Sequence, residues 1–354
     1  MTDFKLYLDE TVSFLVELLN IPSPTGYHIE AMAFVRRAFE DMGFPGMTAR
    51  MLPKGALTIM IQGNSAENQI GVTAHVDTLG LMVKEIKGNG ALKTTNIGGI
   101  MWGGVEFENV TVRTHDNRRY RGTVTPNNPS THVNTNIGKQ ERNADTMEVR
   151  LDAKTCSAAE TEALGIAVGD FIFTDPRVEV TETGFIRGRH IDNKAGVAVV
   201  YGALLALKDA GLRPAHTTHI LIANYEEVGH GGAAGLPHDL TELLTIDMGA
   251  LGDGQNGDEF SVSLCVKDSG GPYHFEMNNK LRRLAWENGI PLKPDIYPSY
   301  ASDGTVYWRS GGQARVGLIG PGVASSHAYE RTHKEAIEHC NHLIARYLVE
   351  KIEG

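Results

Sequence analysis

Leu8, Val12, Leu15, Val16 and Leu19 recur at helical spacing and predict a helix over 4–20. Ile21-Pro22-Ser23-Pro24-Thr25-Gly26 ends it, because two prolines remove backbone donors and Gly26 admits a turn. A second amphipathic helix is predicted over 28–42, closed by Gly43. Two apolar runs, 56–61 and 70–75, read as strands, the second reaching polar His75 and Asp77. From about 79 to 178 the pattern changes. Short β-like runs at Leu81–Ile86, Val105–Thr114, Thr146–Leu151 and Phe171–Thr174 alternate with Gly, Asn and Pro turns, and no long helical pattern is present. After Asp192, Ala-rich helical spacing returns over 194–209, closed by Gly211 and Pro214. Strands at His219–Ala223 and Leu243–Ile246 follow, and a last helix is predicted over 333–351. Strands alternating with helices imply a three-layer α/β/α sandwich with a mostly parallel sheet. The expected organisation is one main domain from 1–78 and 179–354, with a small β domain inserted at 79–178.

Composition narrows the setting. The chain of 354 residues can bury a large core, and its apolar share of 41% with 21% charged residues argues against disorder. Its net charge of −10 argues against nucleic acid or an anionic membrane as partner. Three scattered cysteines form no disulfide framework and no CxxC pair, which favours a reducing compartment. The N-terminal stretch is acidic where a signal peptide is basic, and no apolar run approaches membrane-spanning length. The expectation is a cytoplasmic protein.

The placement of the acidic residues matters more than their number. His75, the pair Glu226-Glu227 and Asp247 each fall just past the C-terminal end of a predicted strand, where open α/β sheets bind ligands. In His75-Val76-Asp77, a metal-binding imidazole would need an acceptor for its other ring N–H, and Asp77 is placed to serve. Asp192 starts a helix, and by residue chemistry alone a helix cap is its favoured role. Glu226 and Glu227 can face one site only if their strand has already ended, which Gly229, Gly231 and Gly232 permit. His327 is one of 14 histidines and says little by itself. Together these residues supply two imidazoles and three carboxylates, plus one further glutamate and one further aspartate. Such a set without thiolates suits two divalent ions, Zn²⁺, Co²⁺ or Mn²⁺, in a hydrolase. A glutamate beside them would carry the proton from water to the leaving amine.

The order Ile21–Gly26, Ala74-His75-Val76-Asp77, Leu164–Asp170, Ile191-Asp192-Asn193-Lys194, Glu226-Glu227-Val228-Gly229, Ile246-Asp247 and His327 resembles metallopeptidase family 42, the tetrahedral and glutamyl aminopeptidases. The resemblance spans nearly the whole chain. It implies that Asp192 bridges two metal ions, one completed by His75 and Asp247, the other by Glu227 and His327. It further implies Glu226 as general base, Asp77 as partner of His75, and short peptides as substrates. The inserted domain would be a β-barrel-like dimerisation module in a homo-oligomer, commonly a hollow particle of twelve subunits. Three stretches depart from the family pattern: Ala324-Ser325-Ser326, Gly249–Asn256 and His230. The motifs around Glu226–His230 and Ser326–His333 are similar to a branch associated with bacterial osmoprotectant-dipeptide metabolism. Two alternatives to an aminopeptidase stand beside it: a related metal-dependent amidohydrolase, deacylase or dipeptidase, and a non-catalytic assembly protein that retains the fold.

Overall fold

The computed structural model describes residues 4–352, so the first three residues of the acidic N-terminal stretch lie outside it. The chain opens with α1 (Leu8–Leu19) and α2 (Ile29–Met42), then β1 (Met47–Met51), β2 (Leu57–Ile61) and β3 (Ser65–His75). The first helix starts four residues later than the apolar spacing suggests. Tyr7 takes a left-handed conformation, φ 47°, and its hydroxyl donates to Asp209 instead of continuing a helix.

Past the end of β3 the chain leaves for a closed six-stranded barrel: β4 (Gly80–Ile86), β5 (Leu92–Ile97), β6 (Asn109–Arg113), β7 (Arg119–Pro126), β8 (Met147–Leu151) and β9 (Phe171–Thr174). Two short helices, α3 (Trp102–Val105) and α4 (Ala158–Ala163), interrupt it. The expected strand over 105–114 therefore splits. Val105 closes a single helical turn, Phe107 at φ 61° redirects the chain, and pairing begins at Asn109. Leu81, Val83, Leu92, Val110, Val112, Val124, Val149 and Ile172 fill the barrel with their inward-facing side chains.

The returning chain forms β10 (Glu179–Val180), β11 (Phe185–Gly188), α5 (Ile191–Asp209), β12 (His216–Ala223), β13 (Glu242–Ile246), β14 (Gly249–Ala250), β15 (Val262–Asp268) and β16 (Gly271–Pro272). It continues with α6 (Phe275–Glu287), β17 (Leu292–Ile296), α7 (Asp303–Arg309), β18 (Arg315–Val323), β19 (Glu330–His333) and α8 (Lys334–Val349). The main sheet runs β1-β2-β12-β3-β13-β18-β15-β16. Its centre, β12-β3-β13-β18, is parallel, and antiparallel strands extend it on both sides.

This is the mixed α/β fold with a mostly parallel central sheet that the element order implies. The two faces of the sheet are covered unequally. On one, Leu15, Leu18, Phe39, Leu204, Leu281, Ile337 and Leu343 from α1, α2, α5, α6 and α8 pack on Ile70, Val72, Ile246 and Ile319. On the other, α7 and irregular chain supply Leu236, Leu240 and Tyr307 against Leu221, Leu243, Val316 and Leu318. Since β12, β3, β13 and β18 are adjacent and parallel, their C-terminal ends lie side by side. No helix among the described residues is long and apolar enough to cross a membrane.

Candidate metal centre

Across those four strand ends the chain places, in order, Glu226 and Glu227 after β12, His75 at the tip of β3, Asp247 after β13, and His327 beyond β18. Asp192 joins them from the start of α5. Two groups of ligand atoms result: His75, Asp192 and Asp247, and Asp192, Glu227 and His327. Within each, one atom per residue lies within 4.8 Å of the others, and Asp192 is common to both.

The cap that residue chemistry favours for Asp192 is made by its neighbour. Asn193 Oδ1 accepts from the Gly196 N–H at 3.1 Å, and Asn193 Nδ2 donates to the Ile246 carbonyl at 2.8 Å. The Asp192 carboxylate is left facing the site, 3.4 Å from His75 Nε2 on one oxygen and 3.8 Å from His327 Nε2 on the other. Ser326 Oγ donates to it at 3.3 Å.

Both imidazoles have their tautomers set by main-chain carbonyls, which can only accept. His75 Nδ1–H donates to the Asp77 carbonyl at 3.0 Å, and His327 Nδ1–H donates to the Gly99 carbonyl at 2.9 Å. In the neutral ring that leaves the lone pair on Nε2, the nitrogen facing the carboxylates. The Asp77 carboxylate is 3.6 Å from His75 Nδ1, beyond hydrogen-bond range, and has other work. Its oxygens accept from the Glu226 N–H at 3.1 Å, the Glu227 N–H at 3.3 Å and the Thr25 hydroxyl at 2.6 Å. Asp77 thus anchors the turn that carries both glutamates. That turn begins at Tyr225, φ 76°, and is a single 3₁₀ turn over Glu226–Val228, so the two side chains reach the same site.

The donor set fits divalent cations. Two ligands each about 2.1 Å from one ion at tetrahedral angles stand about 3.4 Å apart. The separations from His75 Nε2 to Asp192 and Asp247 are 3.4 and 3.8 Å, with Glu226 at 3.6 Å beside them, and from His327 Nε2 to Glu227 is 3.8 Å. These gaps are too wide for strong direct hydrogen bonds and suited to a shared cation. The electrostatics agree. Burial pushes the Asp247 carboxyl up to about 8, reinforced by Asp192 and opposed by His75. Burial likewise holds Glu226 and Glu227 well above the usual carboxylate range, with neighbouring carboxylates adding to it. Burial opposes the charging of His75, yet Glu226, Asp192 and Asp247 outweigh it and hold the imidazole well above its ordinary value. So many buried acids cannot all ionise together without added positive charge.

Glu330 had no role in the sequence reading. It is buried, and its two oxygens accept from the main-chain N–H groups of Asp192, at 3.0 Å, and His327, at 3.1 Å. The only signal was an acid three residues beyond a turn histidine. Asp303 accepts from the Gly232 N–H at 2.5 Å, bracing the chain behind the glutamate turn. Asp268 is absorbed by Gly270, Tyr273 and Thr305, and the Tyr329 hydroxyl donates to the Arg177 carbonyl. Beside the centre opens a cavity of about 700 Å³. Its walls include Met101, Met248, Tyr297, Tyr300 and Val306, with Arg309 as a cation on its lining.

Parallel strand ends of an α/β sheet that deliver imidazoles and carboxylates to one cluster beside a cavity are the arrangement in which such sheets hold metal and ligand, as in metal-dependent hydrolases. The chain belongs to the M42 glutamyl aminopeptidase family, whose model matches residues 55–343. It is therefore a metal-dependent aminopeptidase of the peptidase hydrolases. It is 42% identical over 339 residues to "Putative aminopeptidase YhfE" of Bacillus subtilis (strain 168), covering 96% of this chain and 97% of that protein. Among solved structures it is similar to aminopeptidase APDkam598 from the archaeon Desulfurococcus kamchatkensis, with a TM-score of 0.86, 20% identity, and 98% and 96% of the two chains covered. It is also similar to Pyrococcus horikoshii TET1 peptidase, described as able to assemble into a tetrahedron or a large octahedral shell. That match has a TM-score of 0.80, 19% identity, and 96% and 100% coverage.

Proposed function

We propose that the enzyme removes N-terminal residues from short peptides at a dinuclear centre bridged by Asp192. The observation that carries this reading is the pair of ligand groups sharing that one carboxylate. His75 and Asp247 would complete one ion, Glu227 and His327 the other, with Zn²⁺ favoured by the donors and Co²⁺ or Mn²⁺ compatible. When bound, the two cations polarise the scissile carbonyl and acidify the attacking water.

The protein's own groups do the rest. Glu226 lies outside both ligand groups and lines the cavity. It takes the proton of the attacking water and passes it to the departing amine. Asp77 is a positioning residue, fixing the Glu226 and Glu227 main chain while its carbonyl orients His75. Ala250, Gln255 and Ser326, from two of the stretches that depart from the family pattern, also line the cavity. Substrate preference is expected to differ from other family members there. The barrel would serve as the dimerisation module of a homo-oligomer, a reading supported by the assembly described for the Pyrococcus protein.

The test is a panel of di- to tetrapeptides with free or acetylated N-termini, assayed with Zn²⁺, Co²⁺ and Mn²⁺. Free-amine peptides should be cleaved at least about tenfold better, the equivalent of one ordinary binding contact of about 1.4 kcal/mol. Preferential cleavage of the acetylated series would favour a deacylase instead.

A further inference from the structure

The two ligand groups are held in different ways. His75 is only 2% exposed, and its ring and Asp247 find their hydrogen-bond partners in the main domain, at the Asp77 carbonyl and the Met248 N–H. The His327 ring is 39% exposed, and its Nδ1 is anchored on the barrel, at the Gly99 carbonyl.

Gly99 belongs to the loop between β5 and α3. That loop touches the second group repeatedly. The Met101 N–H reaches back to the His327 carbonyl at 3.5 Å. A Cβ added at Gly99 would stand 3.1 Å from His327 Nδ1 and 3.2 Å from its Cε1. A Cβ at Gly98, where φ is +72°, would stand 3.2 Å from the Glu227 carbonyl oxygen. At the far end, a Cβ on Gly104 would stand 2.9 Å from the Ala328 Cβ. The loop is in turn fixed to the main domain by a buried cation. Arg189 Nη2 donates to the Gly104 carbonyl at 2.7 Å and pairs with Glu108 at 2.7 Å. Glycines at 98, 99 and 104 are what let the barrel's backbone approach Glu227, His327 and Ala328 so closely.

We propose that loop 98–104 of the barrel is a positioning element for the second cation. It sets the affinity of the Asp192–Glu227–His327 site separately from that of the His75–Asp192–Asp247 site. The loop does this by fixing the tautomer and direction of a half-exposed imidazole whose Nδ1 finds its hydrogen-bond partner on that loop. Outer partners of metal-bound histidines are commonly worth about 10–100-fold in metal affinity. A displacement of the barrel would therefore act on one ion and spare the other.

This inference rests on the dinuclear reading, and the experiment separates the two. The metal-free full chain is titrated with Zn²⁺ by calorimetry, and bound metal is counted after gel filtration, for wild type, Gly99→Ala, His327→Ala and the control Gly88→Ala. Gly88 has open space where a Cβ would go. Wild type and the control should bind two ions. Gly99→Ala should weaken one of the two steps by about 10–100-fold, the same step that His327→Ala removes, and leave the other within about twofold. If Gly99→Ala does not fold, Gly104→Ala displaces the same loop from its other end and carries the same expectation. Two unchanged steps, or two steps weakened equally, would overturn the proposal. A wild type that binds a single ion would instead overturn the dinuclear reading itself.

Discussion

Replacing Glu226 with glutamine lowers kcat/KM by about 10²–10⁴-fold, the usual contribution of a positioned general base, and leaves the metal content unchanged. Glutamine keeps the size of the side chain, and the main-chain bond from residue 226 to Asp77 does not depend on it. What is lost is the ability to take a proton, because an amide nitrogen cannot accept one. The metals stay because Glu226 belongs to neither ligand group. Glu227→Gln differs in kind: it removes a ligand, so activity and metal fall together. Steady-state kinetics paired with metal analysis distinguishes the two. Full turnover in Glu226→Gln would remove it as the base, and loss of metal would make it a ligand.

The contrast between these adjacent glutamates shows what could be seen in the sequence. Polar residues at the ends of apolar strands were legible, since a run such as Leu243–Ile246 ending in Asp247 has one natural place in an open sheet. The need for the chain to turn before Glu226 was legible too, and Tyr225 with the following 3₁₀ turn meets it. His327 was different. Its strand, Arg315–Val323, carries glycine and proline, and only the family resemblance singled the residue out. Asn193 capping α5 in place of Asp192 is a local choice between neighbours, whereas Glu330 tying Asp192 to the His327 turn joins residues 138 positions apart, which no local pattern encodes. The barrel strands β5 and β7 went unseen because each shows water one of its faces. Leu92 and Val124 point inward, whereas Lys93, Arg119 and Arg121 leave no apolar run to read. The loop at Gly99 was invisible for the same reason as Glu330: its contact joins residues 228 positions apart.

Stripping the metal should abolish hydrolysis and lower the melting temperature, by more at pH 8 than at pH 5.5. Without cations, the folded state holds protons on Asp247 up to about 8, and on Glu226 and Glu227 well above the ordinary carboxylate range, chiefly through burial. In the unfolded chain these groups release their protons near pH 4. Between those limits the folded state binds more protons than the unfolded one, so stability falls as pH rises. His75 acts in the same direction. Its folded value is raised, so its contribution is complete below the unfolded value near 6.5 and is lost as pH rises through the folded one. Asp192 works oppositely, being held below its usual range against the cost of burial by His75 and His327. Three raised carboxyls and a raised imidazole outnumber it.

Cations supply the missing charge and must displace these protons, so they bind more tightly as pH rises. Free metal at 1,000 times its dissociation constant adds about 4 kcal/mol per site. For two sites in a chain of this size, that corresponds to roughly 10 °C or more in melting temperature. Thermal melts of chelator-treated and reloaded protein at the two pH values check it. A gap between the curves that is equal at both, or wider at pH 5.5, would contradict the account of the site.

In the proposed centre one carboxylate, Asp192, serves both ions. This is tested most directly by counting Zn²⁺ bound per subunit in Asp192→Ala beside wild type, with an intact fold verified by circular dichroism. Two ions in the wild type and the loss of both at matched free metal are the predicted result. Two ions retained with unchanged affinity would contradict it.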